Sequence, residues 1–307
     1  MSAQLLSTSE GATLILTLSN PEHRNALGPE MYAAGVEALS VAETSAEIKS
    51  VVITGEGELF SAGGNLQRLN SNRQQPPEHQ AQSIEGLHNW IEAIRTFPKP
   101  VIAAVEGPAA GAGFSLALAC DMIVAARNSV FVMAYSNIAL SPDGGGTWSL
   151  SRSVPRQMAT ELLMLGDRIH AERLHQLGVV NKLCEPGQAL GTALTMASLL
   201  NQKAHNALAS IKELINEADA ASLNRQLALE RDHFVKNLHH VNAGIGISAY
   251  HRRRPLRWLP RLFPRCRHHD HLAAPWCTLD NLHCNLATAH PDTLDHAIDN
   301  PPSRLPE

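Results

Sequence analysis

One acid stands at the front of a glycine run in "SPDGGGTWSL", residues 141 to 150, where Asp143 precedes Gly144, Gly145 and Gly146. Two further stretches put glycine beside apolar residues where a strand should turn into a helix: "LFSAGGNL" (59 to 66) and "EGPAAGAGFSLALACD" (106 to 121). Glycine in such turns admits positive φ and lets main-chain N–H groups approach a ligand with no Cβ in the way. N–H groups at a helix start are unpaired and lie at the positive end of the helix dipole. A phosphate cradle is excluded: no Gly-Lys-Ser/Thr follows the glycines, and the G-x-G-x-x-G spacing of a dinucleotide site is missing. Two readings of the glycine stretches remain, close helix–strand packing or main-chain donors that face a ligand, and whether Asp143 does chemistry where a helix begins stays open on these residues alone. Asp143 has a second reading as a plain N-cap of that helix. Glu106 enters the second stretch from a strand and reads as a structural or pocket-lining acid.

The elements that must position these stretches alternate up to about residue 250. Ala12 to Ser19 and Ser50 to Thr54 read as strands, and Pro29 to Glu43 between them as a helix with its proline in the first turn. After the Gln/Pro-rich loop at 74 to 77 come a long helix, the strand "PVIAAVEG", an apolar helix from Gly111 to Cys120, and the short strands "MIVAA" and "VFVMAY". Such alternation predicts an α/β architecture with buried strands. From about 186 the strand signals stop and helices follow, including the amphipathic "LNRQLALERDHFVKNLHH".

A chain of 307 residues with 44% hydrophobic content can bury a large core, and a net charge of −4 gives no sign of a nucleic-acid surface or a membrane-binding face. No apolar window is long enough to cross a membrane, and five cysteines without a C-x-x-C pair fit a reducing cytoplasm. After Tyr250 the character changes. "HRRRPLRWLPRLFPRCRHHDH" carries seven arginines, and no lysine occurs from there to the end. The stretch 255–307 is expected to be a poorly ordered tail, its onset like a shifted reading frame. A zinc site from Cys266, His268, His269, His271, Cys277, His283 and Cys284 has suitable ligand types but no standard spacing, so no metal site is assigned.

Taken in order, "NPEHRNAL", "VVITGEGELFSAGGNL", "KPVIAAVEGPAAGAGFSLALACDMIVA", "PDGGGTWSLSRSVPRQMATELLMLGDRI" and "AERLHQLGVVNKL" closely resemble the crotonase (enoyl-CoA hydratase/isomerase) superfamily over about residues 5 to 253. Within it, "AGGNL", "FSLALACD" and "PDGGGTW" look most like the ring-isomerase and alternative oxepin-CoA hydrolase groups of phenylacetate breakdown. The resemblance implies a crotonase spiral of repeated ββα units over residues 1–195 and a helical C-terminal region over 196–254. That region would assemble the chain as a homotrimer or dimer of trimers.

It also implies an acyl-CoA substrate, no cofactor, and an oxyanion hole made by the N–H groups of Gly64 and Ala112. Ser115 and Tyr135 fall where a two-glutamate hydratase has its carboxylates, so both are expected in the substrate pocket without the acid pair that activates water. Asp143 occupies the place of the isomerase-branch acid and is the implied proton shuttle. His23, Arg24, Ala62, Leu66, Tyr250 and Arg253 are the implied CoA contacts, and Asp121 a packing residue. Double-bond or ring isomerisation is the expected reaction. Hydration or oxepin-CoA hydrolysis through water held by Asp143, and a non-catalytic acyl-CoA-binding protein, are the alternatives.

Overall fold

Strands whose residues are apolar on both faces belong inside a sheet covered on both sides, and the computed structural model, which describes residues 3–251, places them there. The chain opens with the antiparallel pair β1 (Gln4–Glu10) and β2 (Thr13–Ser19). After a 3-10 turn (Pro21–His23), α1 (Pro29–Thr44) leads to β3 (Ser50–Gly55), which runs parallel to β2. Two helices follow, α2 (Leu66–Asn72) and α3 (Pro77–Thr96), and then β4 (Val101–Val105).

From β4 onward the chain steps between two sheets. β4 continues into β5 (Pro108–Ala110) and α4 (Ala112–Ala119), and β6 (Met122–Ala126) continues into β7 (Val130–Val132). A 3-10 turn (Ser136–Ile138), α5 (Gly146–Ser153) and α6 (Arg156–Leu165) lead to β8 (Arg168–His170), α7 (Ala171–Gln176) and β9 (Lys182–Cys184). Four helices close the described chain: α8 (Ala189–Asn201), α9 (His205–Ala218), α10 (Leu223–Leu238) and α11 (Val241–His251).

The larger sheet has the order β1-β2-β3-β4-β6-β9 and is parallel from β2 on; the smaller has the order β5-β7-β8, with β8 antiparallel to β7. This stepping is the ββα spiral that the resemblance implies, and β4-β5-α4 is one complete unit. One face of the larger sheet packs Leu16, Val51, Ile53, Ala103 and Val105 against Trp90, Ile94 and Phe114 of the helices. The other packs Val52, Ile102, Ala104 and Val124 against Ala189, Ala193 and Ala197 of α8. Small side chains four apart share one helix stripe and let α8 lie close to the strands. The boundary drawn after residue 195 therefore runs through a helix that packs on the sheet along its length.

Two acids have structural work. Glu106 Oε1 accepts the Ala189 N–H at 2.7 Å and so caps α8. Asp121 Oδ2 accepts the Val101 N–H at 2.7 Å and the Lys212 ammonium at 2.8 Å, tying α9 to the sheet. Among the described residues no helix is long and apolar enough to cross a membrane, and no group of three potential metal ligands occurs. Arg253, the 255–307 tail and its cysteines and histidines lie outside the described residues.

Candidate active site

The Asn20–Leu27 segment sets the first wall of the site. Asn25, at φ 54 and fully enclosed, donates through Nδ2 to the carbonyls of Glu56 and Leu59 at 2.9 and 3.0 Å and accepts the Asn20 N–H at 3.1 Å. The next loop is laced onto this segment. Ala62 N–H donates to Arg24 O at 3.0 Å, Leu27 N–H to Gly63 O at 2.7 Å, and the Ser61 hydroxyl to Asn25 O at 2.7 Å. Ser61 also joins the two glycine loops, donating to Pro108 O at 3.1 Å and accepting the Ala110 N–H at 2.9 Å. Gly63 packs so tightly there, at φ 85, that a Cβ would stand 2.4 Å from the Ala110 carbonyl oxygen.

This lacing uses up some amides and leaves others. Gly63 N–H goes to the Ser61 hydroxyl and Gly111 N–H to Val132 O, whereas the Gly64 and Ala112 amides donate to no acceptor among the described residues. Both residues line one cavity of about 500 Å³, together with Tyr32, Arg68, Tyr135 and Asp143. Ala112 is also the first residue of α4, whose start adds its positive end.

Asp143 is not the N-cap of the helix it precedes. α5 begins at Gly146, not at Gly144; its N-cap is Gly145, left-handed at φ 74, with no side-chain cap bond. Two consecutive positive-φ glycines, Gly144 and Gly145, turn the chain so that the Asp143 side chain points elsewhere. Its Oδ1 accepts the Tyr135 hydroxyl at 2.6 Å. Burial, and then the Asp143 carboxylate, hold the Tyr135 phenol well above its ordinary value, so it stays a donor. Trp148, two residues into α5, lies 4.2 Å from the guanidinium carbons of both Arg95 and Arg152, which anchors this turn against α3.

The site thus holds two free main-chain donors and one oriented carboxylate around the same cavity. Such a set can stabilise a negative oxygen while a proton leaves a neighbouring carbon. The family model for enoyl-CoA hydratase/isomerase matches residues 8–261. The chain belongs to the enoyl-CoA hydratase/isomerase family. It is 38% identical over 230 residues to the 1,2-epoxyphenylacetyl-CoA isomerase of Escherichia coli K12, covering 75% of this chain and 88% of that one. With the 2,3-dehydroadipyl-CoA hydratase of the same strain it shares 32% identity over 253 residues, 82% of this chain and 97% of that one. A crystal structure of an enoyl-CoA hydratase from Polaromonas sp. JS666 superposes with a TM-score of 0.82 at 69% identity, covering 83% of this chain and 99% of that one. The protein therefore has the crotonase α/β fold and is an enzyme of the hydratase/isomerase family.

Of the two positions expected in the substrate pocket without their glutamates, the structure brings one to the cavity. Tyr135 lines it, but Ser115 does not: it is wholly buried and its hydroxyl donates to the Asp143 main-chain carbonyl at 3.0 Å. The reason is the glycine turn, which lies on Ser115 so closely that a Cβ at Gly146 would stand 2.6 Å from its Oγ. A hydratase-type carboxylate has no room at 115. Ser115→Glu is expected to lower stability by about 3 kcal/mol or more through overpacking and charge burial, read as a fall in the thermal midpoint. An unchanged midpoint would mean that the turn moves aside.

The expected CoA contacts divide. Ala62 and Leu66 line the main cavity; His23 lines an adjoining depression of about 230 Å³; Arg24 is exposed in a left-handed turn with its carbonyl engaged by Ala62. Tyr250 is 84% exposed on α11 and lines neither. Sequence reading missed Asn25 and Ser61, which hold the loops, and Tyr32 and Arg68 in the cavity wall. Asn25 in "HRNAL" had a usable signal, since asparagine tolerates the left-handed region better than most residues.

Proposed function

We propose that this enzyme isomerises an unsaturated acyl-CoA thioester, with Asp143 moving one proton between two carbons of the acyl group. The thioester oxygen sits between the Gly64 and Ala112 amides. The ionised Asp143 takes a proton from a carbon conjugated with the thioester, the electron pair passes to the carbonyl oxygen, and the two N–H groups hold the resulting enolate. Asp143, now neutral, returns the proton to another carbon of the allylic system, so mass is conserved and the carboxylate is regenerated. The thioester itself acidifies the proton, so the step needs no metal or nicotinamide.

One observation carries this reading: a single carboxylate, held through one oxygen by Tyr135, shares a cavity with two unengaged amides. Neither carboxylate position of a two-glutamate hydratase holds an acid here; the buried Ser115 and Tyr135 stand in their places. Similarity to a 1,2-epoxyphenylacetyl-CoA isomerase supports isomerisation of a ring or double bond as the reaction type. Assembly as a trimer or dimer of trimers is supported by apolar side chains exposed on the last helices, among them Ile215, Phe234 and Val241.

Incubation with a panel of linear and aromatic-derived enoyl-CoA esters in heavy water, followed by mass analysis, tests the reading. The expected product has the substrate's composition apart from exchanged deuterium. A product heavier by one water would make the enzyme a hydratase, and binding without any conversion would make it an acyl-CoA-binding protein.

A further inference from the structure

Arg68 is a cation in the cavity wall for which the proposed chemistry has no use. It sits in the first turn of α2, where Asn65, the N-cap, accepts its main-chain N–H at 3.0 Å. Side chains on a helix lean toward its N-terminus, which here is the Gly64 end. The guanidinium accordingly lies over Gly28, where a Cβ would stand 3.0 Å from Nη1. Gly28 follows Leu27, the residue bridged to Gly64, so the charge rests beside the loop that presents the free amide.

Its surroundings give the charge no counter-ion. Nε is buried with no acceptor, and among the described residues no carboxylate comes within 4.0 Å of the guanidinium nitrogens. Glu30 lies across Gly28, its Oε2 3.1 Å from the same Cβ position, but makes no ion pair with Arg68. Asp143, also in the cavity, is engaged by Tyr135. Tyr32 is the buried neighbour: burial raises its phenol, the Arg68 charge and a hydrogen bond donated by Arg68 pull it back down, and the phenol stays neutral beside the cation. Gln80, Ser83 and His88 of α3 make further polar lining in the same cavity. A plain hydrocarbon chain would bring no acceptor to the Arg68 guanidinium, and a charge left without one as the cavity fills is costly.

We infer that Arg68, with Tyr32 beside it, is an anion receptor for the acyl group, so that the enzyme favours CoA thioesters carrying a carboxylate remote from the thioester. The two terminal Nη groups of a guanidinium lie side by side, which matches the two oxygens of a carboxylate. This rests on the acyl-CoA reading above. The same cation also borders the His23 depression, so a CoA phosphate is the competing source of the anion.

Binding to saturated thioesters separates these possibilities and proceeds whether or not Asp143 shuttles a proton. The wild-type protein and Arg68→Met are titrated with hexanoyl-CoA, with adipoyl-CoA, which adds a terminal carboxylate, and with free CoA. Wild type is expected to bind the carboxylate-bearing ester about tenfold or more tighter than the neutral one, and Arg68→Met to lose that preference while binding hexanoyl-CoA and CoA as before. Arg68→Lys should keep part of it. A wild-type protein without preference overturns the inference with no variant needed, and so does equal weakening of all three ligands, which would place Arg68 on CoA.

Discussion

Asp143→Asn is expected to lower kcat by about a thousandfold, within the range for loss of a positioned acid or base, while the dissociation constant of an acyl-CoA thioester changes by less than about threefold. The substitution isolates the proton. Asparagine has the shape of aspartate, and its Oδ1 can still accept the Tyr135 hydroxyl that now lies 2.6 Å from the carboxylate. The Asp143 main-chain carbonyl still accepts from Ser115 and from Gly146 N–H, so the turn into α5 is kept. What disappears is the ability to take up and return a proton. Exchange of substrate carbon-bound hydrogen with heavy water should fall in parallel with turnover. A variant that exchanges and converts at the wild-type rate would remove Asp143 from the mechanism, and Tyr135 would not replace it, because its phenol is held protonated.

The strands that form the middle of the larger sheet were legible because each is a short apolar run with no polar alternation, as in "VVIT" and "VIAAV". β1 was not: "QLLSTSE" is exposed along nearly its whole length at the sheet edge, so burial imprints no period on it. The same logic applies inside the site. α4 is buried at every position, so no hydrophobic stripe tells which of its residues faces the cavity, and Ser115 turned out to face the Asp143 turn instead. Arg68 hid in a seven-residue helix too short to show a stripe of its own. By contrast Gly64, Ala112 and Asp143, whose roles the resemblance implies, line one cavity, because the glycine turns that carry them depend on local sequence more than on the packing around them.

Ala112→Pro is the complementary test, since it removes an N–H and little else from the fold. Ala112 is the first residue of α4, where an amide has no intrahelical acceptor and proline is well tolerated. The residue before proline must avoid the helical region, and Gly111, at φ 51 and ψ −121, occupies the mirror image of the extended basin, which glycine alone populates freely. The thermal midpoint should therefore move by only a few degrees, corresponding to about 1 kcal/mol or less. Turnover should fall by about a hundredfold to a thousandfold, the typical loss for one oxyanion donor, and further if the ring occupies the oxygen's place. Combined with Asp143→Asn the losses should not multiply: without proton removal no enolate forms for the amide to hold, and residues acting in one step are strongly non-additive. Fully multiplicative losses would mean that Ala112 and Asp143 act in separate steps, with the amide serving thioester binding in the ground state rather than the charge that Asp143 creates.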